Sequence, residues 1–385
     1  MTVLTKFIAL ADHLKSQFVD RDAIIDASLA AIASGQHVLL LGEPGTGKSA
    51  LVNAICSSID GASYFGWLLT KASPPEELLG PLSLRGLEND EYRRVTAAKL
   101  PEAHVAFLDE IWKANSTVLN ALLSILNERT FYNGATPQKC PLVAAFGASN
   151  EYPTDTELAA LYDRFLVRFW VERLDPAGLV AMLGKPEPRP LPGALTLADI
   201  ETARREVAAV KLSQAGLDLM ASCKSAADGA GFSASDRRWR QIARYLRAVA
   251  WYGGEAEVSD ATLMALKDVL WREHKERPAV MTTIGKLASP ILTEALEIAD
   301  TVKAVVKESS RQAGEADVAY TTRLAKASSD VQRAVARLRA LNVAGSPSAA
   351  AKVNAFIAEA QKQHKVLARE ALRLSGLDTA SLMGG

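Results

Sequence analysis

The residues best suited to chemistry are contiguous. Gly42, Glu43, Pro44, Gly45, Thr46, Gly47, Lys48 and Ser49 read G-x-x-x-x-G-K-S, with the apolar run Val38 to Leu41 before them and a helical stretch from Ala50 to Ile59 after them. A glycine-rich turn between strand and helix lets backbone N–H groups wrap an anion at the helix N-terminus. Lys48 then reaches the β and γ phosphates of a nucleoside triphosphate, and the Ser49 hydroxyl holds a metal ion. Hydrolysis also requires an acid beside that ion and a group that polarises water. Asp109, which ends the apolar run HVAFLD, and Glu110, which follows it, supply both, Asp109 as the metal contact and Glu110 as the group that orients water. Asn150 ends a third apolar run, where an amide either hydrogen-bonds phosphate or water or merely closes the strand by turn chemistry. Two arginine clusters, YDRFLVR (162–168) and SDRRWR (235–240), either stabilise a transferring phosphoryl group or lie on solvated helix faces.

These groups need a scaffold that brings strand ends together. HVLLLG (37–42), HVAFLD (104–109) and PLVAAFGASN (141–150) are near-continuous apolar runs, the pattern of strands buried on both faces of a parallel sheet. Residues 1–183 are therefore read as an α/β nucleotide-binding unit. The stretch 184–193, GKPEPRPLPG, holds four prolines and two glycines and reads as a linker. Residues 194–277 read as all-helical, with Trp239, Ile242, Leu246 and Val249 at helical spacing. From 278 to 385, apolar residues recur in alternating threes and fours, as in helices of a slender bundle. The stripes are Ile291, Ala295, Ile298, Val302, Val305; then Tyr320 through Leu341; then Val353, Ile357, Ala360, His364, Leu367, Ala371, Leu374, with a turn at 344–348 between the last two. His364 is read as a packing residue.

With 385 residues, the chain has length for two or three compact units. Lysine plus arginine equals aspartate plus glutamate at 44 each, which removes the global attraction that non-specific binding to nucleic acid exploits. The N-terminal stripe Leu4, Phe7, Ile8 and Leu14 suits an amphipathic helix, and no run approaches the roughly 20 apolar residues of a membrane span. Cys56, Cys140 and Cys223 are too scattered for a disulfide framework or a metal site, so a reduced, cytoplasmic protein is expected.

In this order the elements resemble those of AAA+ ATPases. FLDEIWKANSTVLNALLSILNERTFYNG (107–134), ASNEYP (148–153), LYDRFLVRFW (161–170) and SDRRW (235–239) resemble the MoxR family within that superfamily, most closely its RavA subgroup. The resemblance spans roughly residues 10–275. It implies an α/β P-loop NTPase (AAA+) core with a parallel sheet, an all-α lid and a C-terminal bundle of long helices. It further implies ATP with Mg2+, a homo-hexamer, chaperone-like remodelling of a protein client, and a partner with a von Willebrand factor A domain. By the same resemblance Asn150 is the sensor 1 residue, Arg164 the arginine finger acting on the neighbouring subunit, and Arg237 the sensor 2 arginine. Arg168 and Arg238 are the respective alternates. Residues 80–100 correspond to an insertion facing the ring channel, with Arg85, Arg93 and Arg94 as candidate client contacts. The chain departs from the RavA pattern in one respect: 278–385 shows no strand-rich insertion, so that subgroup's partner is not carried over. A second function class stays open, an assembly scaffold or switch in which hydrolysis only times partner release.

Overall fold

The computed structural model describes residues 2–153, 156–311, 314–343 and 347–375. The three apolar runs and two further segments form one parallel sheet: β1 (Val38–Leu41), β2 (Tyr64–Leu68), β3 (Val105–Asp109), β4 (Ala144–Ser149) and β5 (Val167–Trp170), in the spatial order β2-β3-β4-β1-β5. Every residue of β1 and β4 is buried, as expected of strands covered on both faces. Register is continuous across the middle of the sheet, where Leu41 lies opposite Ser149 on one side and Trp170 on the other. The chain leaves β1, passes over β4 and β3 to form the edge strand β2, and returns. Such a reversal opens a crevice at the carboxyl ends of the central strands, which is where ligands bind in open α/β sheets.

Two helices precede the sheet, α1 (Val3–Gln17) and α2 (Asp22–Ser34). Along α1 the buried residues are Phe7, Leu10, Ala11 and Leu14, whereas Ile8, read from the sequence as part of the stripe, is 40% exposed. Leu10 rather than Ile8 completes the helical face. In α2 nine residues are buried, because α1, α7 (Leu197–Ala209) and α9 (Asp236–Tyr252) all pack against it. Between these elements lie α3 (Lys48–Cys56), α4 (Ser116–Glu128), α5 (Thr156–Arg164), α6 (Pro176–Leu183) and α8 (Gln214–Gly229). Residues 1–258 and 265–280 consequently form one compact unit. The proline-rich stretch runs within that unit, where the Leu191 N–H donates to Ser58 Oγ and Leu195–Thr196 pairs with Ile59–Asp60.

A second unit comprises residues 259–264 and 281–385. Its long helices α11 (Pro290–Glu308), α12 (Asp317–Ala340) and α13 (Pro347–Leu374), which follow α10 (Arg277–Ala288), pack on one another. The buried seam on α11 is Leu292, Thr293, Ala295, Ile298 and Val302, so Leu292 replaces Ile291 in the stripe read from the sequence. On α13 Val353, Ala360 and Leu367 are buried and His364 is half-buried. The turn read at 344–348 falls mostly outside the described residues. Among the described residues this unit has no strand, and no helix there or elsewhere among the described residues is long and apolar enough to cross a membrane. All three cysteines are buried and free.

Candidate functional site

The glycine-rich loop leaves the sheet through a gap too narrow for a side chain. Gly42 donates its N–H to Ser149 O at 3.1 Å while Val171 N donates to Leu41 O at 2.6 Å. A Cβ on Gly42 would sit 2.3 Å from Val171 O, and its φ of +140° is itself a glycine conformation. Gly47 then caps α3 from the left-handed region, at φ +81°. Lys48 opens that helix and folds back, donating from Nζ to Gly42 O (2.7 Å) and Glu43 O (2.9 Å), so its ammonium lies inside the loop's cradle. Burial lowers its pKa from the usual lysine range, and Asp109 and Glu110 oppose that shift.

Asp109 is the last residue of β3, and Leu69 N donates to its carbonyl at 2.9 Å, which fixes the strand end. The carboxylate turns toward α3, where Oδ1 accepts from Glu110 N (3.0 Å) and Oδ2 lies 3.5 Å from the Ser49 hydroxyl. A hydroxyl and a carboxylate oxygen facing each other beside the glycine-rich loop are hard donors, a set that fits Mg2+. Glu110 occupies φ +52°, a left-handed conformation that is costly for a residue with a side chain. The bend lets it cap the short helix Ile111–Lys113. Its Oε2 is buried without a hydrogen bond and pairs with Lys113 Nζ only loosely, at 3.4 Å. A buried carboxylate oxygen with unused acceptor capacity at a cleft wall is suited to holding a water.

Asn150 is exposed at the end of β4, beyond the buried Ser149, whose Oγ accepts from Glu151 N at 3.2 Å. Loop residues 44–49, Asp109, Glu110, Ser149 and Asn150 together line a cleft of about 360 Å³. The structure thus brings the residues of the loop, the acidic pair and the amide to one place. It also shows a support with no clear signal in the sequence. Arg21, just before α2 and 8% exposed, donates to Thr46 O (3.1 Å) and Glu172 O (2.9 Å) and ties the loop to the segment after β5. An arginine at a helix start reads as a solvated residue until the fold encloses it.

The arginines behave differently. Neither Arg164 nor Arg237 lines the cleft. Arg164 ends α5 with a buried Nε that has no partner, and its pKa is lowered first by burial and then by the like charge of Arg237. Arg237 is exposed on the first turn of α9, with no ion pair among the described residues. The alternates are committed elsewhere. Arg238 directs its guanidinium at Val269 O, Leu166 O, Asp163 O and Asp163 Oδ1, so its donors are satisfied in the interior. Burial lowers its pKa to about 9. Arg168 donates to Trp271 O, Phe165 O and Tyr162 O and lies 3.9 Å over the Tyr162 ring. In the 80–100 segment Arg94, read as a candidate client contact, instead binds Glu76 Oε1 (3.0 Å) and Gly80 O (2.8 Å), and its side chain is 14% exposed.

Residues 5–187 match the family described as the MoxR domain in the MoxR-vWA-beta-propeller ternary systems, and residues 217–284 match the AAA lid domain. Two uncharacterised proteins of Methanocaldococcus jannaschii are similar: one is 36% identical over 304 residues (78% of this chain, 80% of that protein), the other 33% over 308 residues (80% of each). A structural protein of Acidianus two-tailed virus is 28% identical over 219 residues, 52% of this chain and 35% of its own length. A solved structure from Cytophaga hutchinsonii, provisionally described as an ATPase, superposes with a TM-score of 0.61 at 18% identity, covering 74% of this chain and 94% of that one. At that identity the likeness concerns the fold. The matched domain family is named for vWA and β-propeller systems, and the RavA-like assignment read from the sequence gains no support from these likenesses.

Proposed function

Because the chain belongs to the MoxR family of AAA+ ATPases, we propose that it hydrolyses ATP as a homo-hexamer in the cytoplasm and uses the turnover to remodel a protein client. The observation that carries this reading is an asymmetry. Lys48, Ser49, Asp109, Glu110 and Asn150 converge on one cleft, whereas Arg164 and Arg237 keep unsatisfied or exposed guanidinium groups away from its walls. A site with its arginine outside its own cleft is completed when another subunit presents Arg164 to the γ phosphate. In this reading residues 1–183 are the nucleotide-binding subdomain, 194–277 the lid carrying Arg237, and 278–385 the helical arm that delivers motion. A vWA-domain partner is supported by the description of the matched family.

The loop amides and Lys48 bind and orient the triphosphate, and Asn150 positions its γ phosphate. Ser49 and Asp109 hold Mg2+, which when bound neutralises charge on the phosphoryl oxygens. Glu110 accepts a hydrogen bond from water through its Oε2, which has no other hydrogen bond, and aims it in line. Arg164 and Arg237 stabilise charge that develops during transfer.

The test is a set of variants assayed for nucleotide binding, assembly and turnover. Lys48→Ala should lose ATP binding, and Glu110→Gln should bind and assemble while turnover falls at least about a hundredfold. Mixing Arg164→Ala with Lys48→Ala should restore hydrolysis, since the latter subunit lends its arginine. Full activity of the Glu110→Gln protein sinks the site assignment, and no restoration in mixtures sinks action between subunits. The long helices of the second unit favour one other reading, a nucleotide-dependent scaffold. A scaffold binds its partner equally well with a non-hydrolysable analogue, whereas a remodelling ATPase is accelerated by its client.

A further inference from the structure

A second cavity of the first unit, about 430 Å³, lies at the amino ends of β1 and β4, opposite the nucleotide cleft. Four residues of β1 separate the two, a distance of about 13 Å. The cavity is walled by the ends of α2 and α4, by the approach to β4, and by α7 and α9. Three arginines line it, Arg129, Arg204 and Arg244, and no aspartate or glutamate does. None of the three has an ion pair among the described residues.

Their donors are unevenly used. Arg129 sits in the left-handed region at φ +54° and gives Nε to Leu142 O (3.0 Å), one NH2 to Gly35 O (2.9 Å) and another N–H to Leu126 O. Capping of helix ends accounts for this residue. It does not account for the others. Arg204 donates once, to Val143 O at 3.1 Å, and its Nε is buried without a partner. Gln241 Oε1 is likewise buried and unpaired, and Arg244, three residues further along the same face of α9, is exposed with no hydrogen bond among the described residues. His37 is the remaining titratable wall beside Cys140, and it is committed: Nδ1 accepts from Ala145 N at 2.8 Å, and Nε2 lies 2.8 Å from both Leu126 O and a guanidinium nitrogen of Arg129. Burial and the charge of Arg204 lower the Arg129 pKa to about 10, and burial lowers Arg204 too, opposed only by the exposed Glu201.

From this arrangement we infer a second binding site, in which Arg204 and Arg244, backed by Arg129, hold the phosphoryl group of a small phosphorylated molecule. Guanidinium forks match phosphate geometry, and a group carrying roughly −1.5 to −2 charge balances such a cluster better than a single carboxylate. The cavity exceeds what one phosphate fills and lies in the range of about 300 to 1,000 Å³ typical of small-molecule sites, so an organic body accompanies the anion. Gln241 Oε1 is the acceptor for that body.

The site is independent of ATP turnover and is tested without it. Pyrophosphate is titrated calorimetrically into the Lys48→Ala protein, which removes the main phosphate contact of the first cleft, and into the same protein carrying Arg204→Gln or Arg244→Gln. One saturable site per chain is expected, weakened at least about tenfold by either added substitution, with citrate binding more weakly than pyrophosphate. Because Arg244 is exposed, with no hydrogen bond among the described residues, Arg244→Gln leaves the fold intact, and an unchanged melting curve verifies this. The inference is overturned by no saturable binding up to about 5 mM pyrophosphate, by affinity unaffected by both substitutions, or by citrate binding as tightly.

Discussion

Arg237 and Arg238 are adjacent in sequence, yet their replacement by alanine should have opposite consequences. Arg238 is 3% exposed and serves three backbone carbonyls and the Asp163 carboxylate. Removing it leaves Val269 O and Leu166 O without their donor in the interior, at about 1–3 kcal/mol for each orphaned group. Two effects offset part of that: a buried cation, its pKa lowered to about 9 by burial, no longer has to be desolvated, and the Asp163 side chain, 39% exposed, turns to water. A net loss of about 3 kcal/mol follows, at the low end for breaking a buried pair. For a unit of this size that lowers the melting temperature by about 6–12 °C. Arg237 is exposed, with no ion pair among the described residues, so Arg237→Ala should stay within about 0.5 kcal/mol of the parent protein. Its ATPase rate should nonetheless fall about a hundredfold or more with ATP binding retained. Thermal melts with turnover assays on both variants decide the matter. If Arg237→Ala is the less stable of the two, or hydrolyses ATP at the parent rate, the division of labour between the two arginines is wrong.

Gly42→Ala should abolish tight nucleotide binding and cost about 1–3 kcal/mol, because its Cβ meets Val171 O at 2.3 Å in a left-handed backbone. Gly45→Ala meets nothing within 4 Å and should cost about 1 kcal/mol or less; equal effects in melting and nucleotide titration would refute the steric account. His37 is buried and its pKa lies well below the usual value of 6.5, so the unfolded chain binds a proton that the folded one refuses. Stability should be flat above about pH 6.5 and fall as pH drops below it, by up to about 1.4 kcal/mol per unit from this residue, and His37→Gln should reduce that slope in pH-dependent denaturant melts. An unchanged slope would show that His37 is not the group responsible.

What the sequence determined alone was contiguous chemistry. The run 42–49 and its flanks specify strand, turn and helix together, because the conformational freedom of glycine and the start of α3 are local properties. Asp109 and Glu110 were legible for the same reason, since a buried strand delivers its last residues to the crevice at the sheet's carboxyl edge. Tertiary structure decided everything that depends on which face of an element meets another. Adjacent residues on a helix point about 100° apart, so only the docking of α9 distinguishes the enclosed Arg238 from the exposed Arg237. Docking likewise left Ile8 outside the core, turned Arg21 into a brace for the loop, and committed Arg94 to Glu76. The arginine-lined cavity had no sequence signal, for residues 129, 204 and 244 share no motif and meet only because α7 and α9 pack beside the amino ends of the sheet. Local backbone preference writes a motif into consecutive residues. Packing between distant segments leaves no such trace, because many sequences bury the same face.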